Sequence, residues 1–173
     1  MSVIPFINAP LLIQVHAMFA IVALCVGPVA IHRRRRDRIH KVAGYVWVVA
    51  MFSVATTALF IPAHDLRIIG QLGPIHVFVA LTYWGLWSGM SAIFRRDIVV
   101  HQLALRNLYY QGLAIAGLFN FLPGRMVNRM ILPEAPQAGL VIIAVGGAAL
   151  LYVAVRQRQN LRRARGQSAQ AVT

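Results

Sequence analysis

The sequence predicts an all-α integral membrane protein: a four-helix bundle made of two repeated hairpins, with a fifth transmembrane helix appended. Three observations carry this prediction. Of 173 residues, 59% are hydrophobic and only 12% charged, and the mean hydropathy is +0.67, so polar side chains are too few to cover a water-soluble globule. Five apolar stretches, near residues 9–31, 40–62, 74–94, 101–122 and 137–156, are each close to the ~20 residues needed to cross roughly 30 Å of hydrocarbon. Finally, the chain repeats itself. HAMFAIVAL at His16 is similar to HVFVALTYW at His76, Arg36-Asp37 and Arg96-Asp97 mark equivalent turns, and His40 and His101 follow 24 and 25 residues after their partners.

Two like-oriented hairpins imply approximate two-fold symmetry about the membrane normal. Residues 1–136 are therefore read as a histidine-bearing core, 137–156 as the fifth helix, and 157–173 as a basic tail that frays beyond about Gly166. The opening MSVIPFINAPLLIQ lacks the basic residues and cleavage pattern of a signal peptide and is expected to stay attached as the start of the first span.

Arginine placement predicts orientation. The turn from Arg33 to Lys41 holds six basic residues, the turn at Arg95 and Arg96 two, and the tail Arg156, Arg158, Arg162, Arg163 and Arg165, whereas the remaining loops carry only Arg67, Arg125 and Arg129. The positive-inside rule then puts the N-terminus outside and the C-terminus in the cytoplasm, as in a bacterial inner-membrane protein. This bias accounts for the net charge of +13, and the cluster is read as a topology signal and a contact for anionic membrane lipid. Nucleic acid is not expected, because no base-reading or aromatic residues are interleaved with the cations. The single cysteine, Cys25, sits mid-span with no intrachain partner and is assigned to packing.

The histidines carry the chemistry. His16 precedes Arg33 by 17 residues and His76 precedes Arg95 by 19, which at 1.5 Å per residue puts both about 25 to 29 Å from the basic boundary. His40 and His101 lie four and five residues past Arg36 and Arg96, at the basic edge of their helices. The first and third helices thus offer an outer pair and the second and fourth an inner pair, on helices that can face each other diagonally. Paired imidazoles at one depth in an apolar bundle are what a six-coordinate haem requires. Two haem b groups are expected, one held by His16 and His76 and one by His40 and His101. Gly44, one turn after His40, offers room for a flat macrocycle, as do Gly27 and Gly112. Arg106 is costly within a span unless it meets a propionate or snorkels to water. Arg125 and Arg129 can serve the outer haem similarly, and Arg36 and Arg96 the inner.

Other readings compete. A lone histidine near a membrane boundary is more often an interhelical hydrogen-bonding group than a ligand, so the inference rests on the set. His32 and His64 are assigned to polar loops, with His32 able to replace His40 if the second span begins later. Tyr45, Trp47, Trp84, Trp87, Tyr109 and Tyr110 are read as belt or packing aromatics. No catalytic carboxylate pair, nucleophile triad or phosphate loop is present. A single four-histidine zinc or copper centre is disfavoured because the pairs lie at different depths. A proton-linked carrier is weakened by the lack of intramembrane acids. A non-redox assembly or interaction subunit, in a homo-oligomer or with a partner membrane subunit, stays open.

The stretch GPIHVFVALTYWGLWSGMSAIFRRDIVVHQLALRNLYYQGLAIAGLFNFLPGRMVNRMI resembles the second half of an uncharacterised bacterial family of predicted membrane proteins. Its pattern is a histidine opening one helix, a short basic turn, a second histidine, and an AGLF-x-x-LPGR ending. IHKVAGYVWVVAM is similar to that family's HR-x-x-G-R-x-W segment, with Lys41 and Tyr45 where arginine is usual. The likeness covers about residues 10–132 and implies around five spans without an established activity. In architecture, two histidine pairs on four helices also resemble the ascorbate-reducible cytochromes b and the bacterial superoxide oxidase. That likeness implies electron transfer between a quinol or small redox partner and an acceptor.

Overall fold

The computed structural model describes residues 3–33, 35–61 and 75–170, and among these every regular element is helical. Arg34, His64, Asp65 and Arg67 fall outside the described residues. In chain order the elements are α1 (Ile4–Ile7), α2 (Leu11–His32), α3 (Arg38–Leu59), α4 (Ile75–Phe94), α5 (Ile98–Asn107), a π-helical segment (Leu108–Ala114), α6 (Ile115–Phe119), α7 (Met126–Ile131) and α8 (Ala138–Gln170).

Each basic turn is closed by an aspartate. Asp37 Oδ1 accepts from the His40 amide at 3.0 Å and Asp97 Oδ1 from the Val100 amide at 3.0 Å. Each side chain thereby satisfies an amide that the first turn of α3 or α5 leaves without an intrahelical partner. α4 ends in a Schellman arrangement, with the Asp97 amide on the Ala92 carbonyl (2.9 Å) and the Arg96 amide on that of Ile93 (3.1 Å). Its left-handed position is filled by Arg96, at φ 61°, where glycine is usual.

Helix α2 packs on α3, α3 on α4, α4 on α5 and the π segment, and these return to α2. This ring leaves α2 diagonal to α4 and α3 diagonal to α5. The shared core holds Ala23, Trp47, Ala50, Met51, Leu86, Leu108 and Leu113. Its alanines let backbones approach closely, as in membrane bundles, where dispersion between close-packed helices supplies most of the cohesion. The outer surface is the reverse of a soluble protein's, with Trp84, Trp87 and Phe94 at 71%, 70% and 83% exposure. Such a contiguous apolar exterior is suited to lipid.

Among the described residues four helices are long and apolar enough to cross a membrane: Leu11–His32, Arg38–Leu59, His76–Phe94 and Ala138–Arg156. The predicted span at 101–122 is helical from Ile98 to Phe119, but the π segment divides it, so it holds no single α-helix of that length. The tail also differs from expectation. α8 runs unbroken to Gln170, because a segment rich in arginine, glutamine and alanine has high helix propensity.

The Phe121–Pro136 connection is organised by Asn128, which is fully buried. Its Nδ2 donates to the carbonyls of Phe121 (2.9 Å) and Pro136 (2.8 Å). α8 then approaches so closely that a Cβ on Gly139 would collide with the Phe121 carbonyl.

Candidate functional site

Repetition in the sequence becomes repetition in hydrogen bonding. His40 Nδ1 lies 3.1 Å from the Ala30 carbonyl oxygen, and His101 Nδ1 lies 2.8 Å from that of Gly89. Each bond joins the first turn of a hairpin's second helix to the last turns of its first. A carbonyl only accepts, so Nδ1 carries the proton in both rings and the lone pair is left on Nε2. Metal-ligating histidines are held this way, the bonded nitrogen fixing both tautomer and ring orientation.

Both imidazoles line one cavity of about 680 Å³ at the basic end of the bundle. That size falls within the roughly 300–1,000 Å³ typical of small-molecule and cofactor sites. Arg33, Arg36, Lys41, Arg96 and Arg106 also line it. Arg33 is committed to Asp37, through Nε at 2.8 and 3.0 Å and through a further contact from Nη2. The two form an ion pair across the turn. The guanidinium and the His40 amide hold the Asp37 carboxyl well below the usual carboxylate range, and Asp37 in turn raises Arg33. Arg36, Lys41, Arg96 and Arg106 have no carboxylate partner among the described residues, so the cavity wall carries uncompensated positive charge. The left-handed backbone of Arg96 costs on the order of 1–2 kcal/mol, and it is spent at a residue facing this cavity.

Gly44 stands on the same wall, and a Cβ added there would meet nothing within 4 Å. Trp47, 1% exposed, also lines the cavity, and its buried Nε1 has no hydrogen-bond partner among the described residues. Two oriented nitrogen donors, a cationic wall, open space beside a glycine and an apolar indole suit a flat, anionic, metal-bearing macrocycle. His40 and His101 would hold its metal; Arg36, Arg96 and Arg106 would meet its carboxylates.

The other glycines expected to make room do not. At Gly27 a Cβ would overlap the Tyr109 ring and sit 2.9 Å from Trp47 Nε1, and at Gly112 one would sit 3.1 Å from Leu108. Their space is filled by side chains from within the bundle, so both are packing glycines.

The far-end histidines are placed differently. His16 Nδ1 is 2.9 Å from Thr57 Oγ1 on α3. That hydroxyl directs its own proton to the Ser53 carbonyl at 2.7 Å, so it accepts from Nδ1, and His16 shares the tautomer of His40 and His101. His76 stands in the first turn of α4, on the helix diagonal to α2. Neither His16 nor His76 lines the two cavities described. Arg125 and Arg129 are exposed at and after the start of α7, on a separate element from the histidine-bearing helices. Among the described residues no three His, Cys, Asp or Glu side chains converge as a metal-binding group.

Several contacts were not visible in the sequence. Tyr110 Oη and His32 Nε2 share a hydrogen bond at 2.8 Å, and Tyr109 donates to the Leu24 carbonyl at 3.2 Å. These tyrosines are therefore more than belt aromatics. Both lie in the π segment, whose wider turn changes which neighbouring side chains can face the bundle. The rings of Tyr109 and Tyr110 stand nearly perpendicular, at 85°. Cys25 is exposed on the apolar exterior of α2 and takes no part in the core.

Among the described residues every regular element is helical, and four membrane-length apolar helices with an apolar exterior define a multi-pass membrane protein. The chain belongs to the family described as "Predicted membrane protein (DUF2306)", which matches residues 13–157. That match extends past residue 132 into α8, making the last long helix part of the family's architecture. No curated protein and no solved structure matches the chain.

Proposed function

We propose that this protein is a b-type dihaem cytochrome that moves electrons between a quinol or small redox partner and an acceptor across a bacterial inner membrane. The observation carrying the proposal is the matched pair His40 and His101, each pinned through Nδ1 to a backbone carbonyl and each lining the same cationic cavity. In this reading their Nε2 atoms ligate the inner haem iron, and Arg36, Arg96 and Arg106 neutralise its propionates. The outer haem takes His16 and His76, with Arg125 and Arg129 near its edge. The segment Ile98–Phe119 crosses the bilayer as a fifth span. The N-terminus lies outside and the basic turns and tail are cytoplasmic, a reading supported by the arginine distribution.

A bound haem supplies a one-electron carrier whose potential the protein sets by ligand identity, burial and hydrogen bonds to the ligands. The chain itself holds the imidazoles in one tautomer and supplies the cations that would balance the charge of the propionates. One observation favours a second reading. The His16–Thr57 bond already gives that histidine a structural role between α2 and α3, as an assembly subunit without redox function would use it.

A reduced-minus-oxidised visible spectrum with haem quantification on the detergent-purified protein separates the two readings. About two b-type haems per chain with sharp low-spin bands is the expected result. A colourless protein from haem-replete cells contradicts the cytochrome reading and leaves the structural one.

A further inference from the structure

A second cavity of about 410 Å³ lies between α8 and the segment from Asn107 to Phe119. Its two walls differ in chemistry. One carries Asn107, Tyr110 and Gln111 beside the apolar Ile115, Leu118 and Phe119; the other, on α8, is wholly apolar, with Ile143, Gly147 and Leu151 among its residues. Asn107 and Gln111 are both exposed, and among the described residues neither side-chain amide has a hydrogen-bond partner. Gln111 lies ten residues beyond His101, about 15 Å deeper into the apolar layer. There an unsatisfied amide costs several kcal/mol in hydrocarbon.

The consecutive glycines of α8 point the same way. A Cβ on Gly146 would fall 2.6 Å from Leu118, so this glycine sets the close approach of α8 to α6. A Cβ on Gly147 would meet nothing within 4 Å. Glycine within a helix costs about 0.5–1 kcal/mol relative to alanine; packing accounts for Gly146, and Gly147 keeps the cleft open.

We infer that this cleft binds the ring of an isoprenoid quinone. A planar ring with two opposed oxygens and an apolar tail matches a slot with two amides and a phenol set among apolar side chains on one wall and aliphatic side chains on the other. Tyr110 shares its hydroxyl with His32 at the basic end of α2, linking the polar wall to the basic boundary. Arg106 and Asn107, adjacent in sequence, line the histidine cavity and the cleft respectively, so one helical segment separates the two. The cleft's service as the electron partner's site rests on the cytochrome reading; its fit to a quinone ring does not. A second copy of the chain covering Gln111 is the competing occupant, and the concavity within a single chain favours a small molecule.

The test is photolabelling of the full-length protein in lipid nanodiscs with an azido-substituted short-tailed benzoquinone, followed by peptide mapping. Label is expected on residues 107–115 and 143–154, competed by unlabelled quinone and reduced about tenfold in Gly147→Phe and at least severalfold in Gln111→Leu. Gln111→Leu replaces an exposed amide by an apolar side chain in the lipid layer and guards against a folding failure of Gly147→Phe. Label elsewhere, or equal labelling of wild type and both variants, overturns the inference. So does a Gln111→Leu variant that loses only dimerisation. A colourless protein that still labels in the cleft refutes electron transfer but keeps the site; a two-haem protein that does not label does the opposite.

Discussion

Tyr109 donates its hydroxyl proton to the carbonyl of Leu24 at 3.2 Å, and Leu24 is the residue four before Pro28, which lies inside α2. Proline has no amide proton, so the Leu24 carbonyl lacks its ordinary helical donor. The phenol of a different helix supplies the missing bond. Gly27 makes the contact possible, because any Cβ there would collide with the Tyr109 ring.

This predicts a coupling. Tyr109→Phe should destabilise the protein by about 1 kcal/mol, the usual net worth of an intramolecular hydrogen bond. In a Pro28→Ala background, where the introduced alanine restores the helical amide, the same change should cost markedly less. Denaturant unfolding in micelles gives the double-mutant cycle; equal costs in both backgrounds contradict the role assigned to Tyr109.

Gly44 and Gly27 should respond oppositely to added side-chain volume. Gly44→Ala meets open space and should be neutral or slightly stabilising, whereas Gly27→Ala must displace an aromatic ring and should cost about 1–3 kcal/mol. Gly44→Leu, which fills the histidine cavity from its wall, should leave the fold intact and lower haem content several-fold. Circular dichroism and haem quantification on the same preparations read both effects; undiminished haem in Gly44→Leu would place the cofactor elsewhere.

Asp37 sets a pH dependence whose sign is fixed. Its carboxyl is depressed below the usual range by Arg33 and the His40 amide. The stabilisation is therefore fully present above the unfolded value of about 3.9 and is lost as pH falls through the lower folded value. Asp37→Asn should lower the melting temperature at neutral pH, and the gap from wild type should persist at about pH 5 and narrow below about pH 3. A gap already closed at about pH 5 would show that Asp37 is not held this way.

The four membrane-length helices were legible in the sequence because lipid imposes a length and an apolar composition that few other structures share. The aspartates closing the two basic turns were visible only as charges beside arginines; their capping of α3 and α5 required the backbone. The positions of His40 and His101 could be paired from the repeat, since they sit at nearly the same offset, four and five residues past the arginine of an Arg-Asp turn. What escaped depends on helical phase. The π segment has no pattern of its own in LYYQGLA, yet it decides that Tyr109 reaches Leu24 while Tyr110 reaches His32. Gly27 and Gly44 look alike in a sequence, and only the tertiary neighbours reveal one as filled and the other as open. Asn128 in the Phe121–Pro136 connection carried no signal as a buried anchor.

Single-residue variants decide whether His40 and His101 hold one haem between them. His40→Ala and His101→Ala should each remove the same spectral component, about half of the total haem, while His16→Ala leaves that component in place. If both variants keep the wild-type low-spin spectrum and haem-to-protein ratio, His40 and His101 are not the paired ligands of a haem in this cavity.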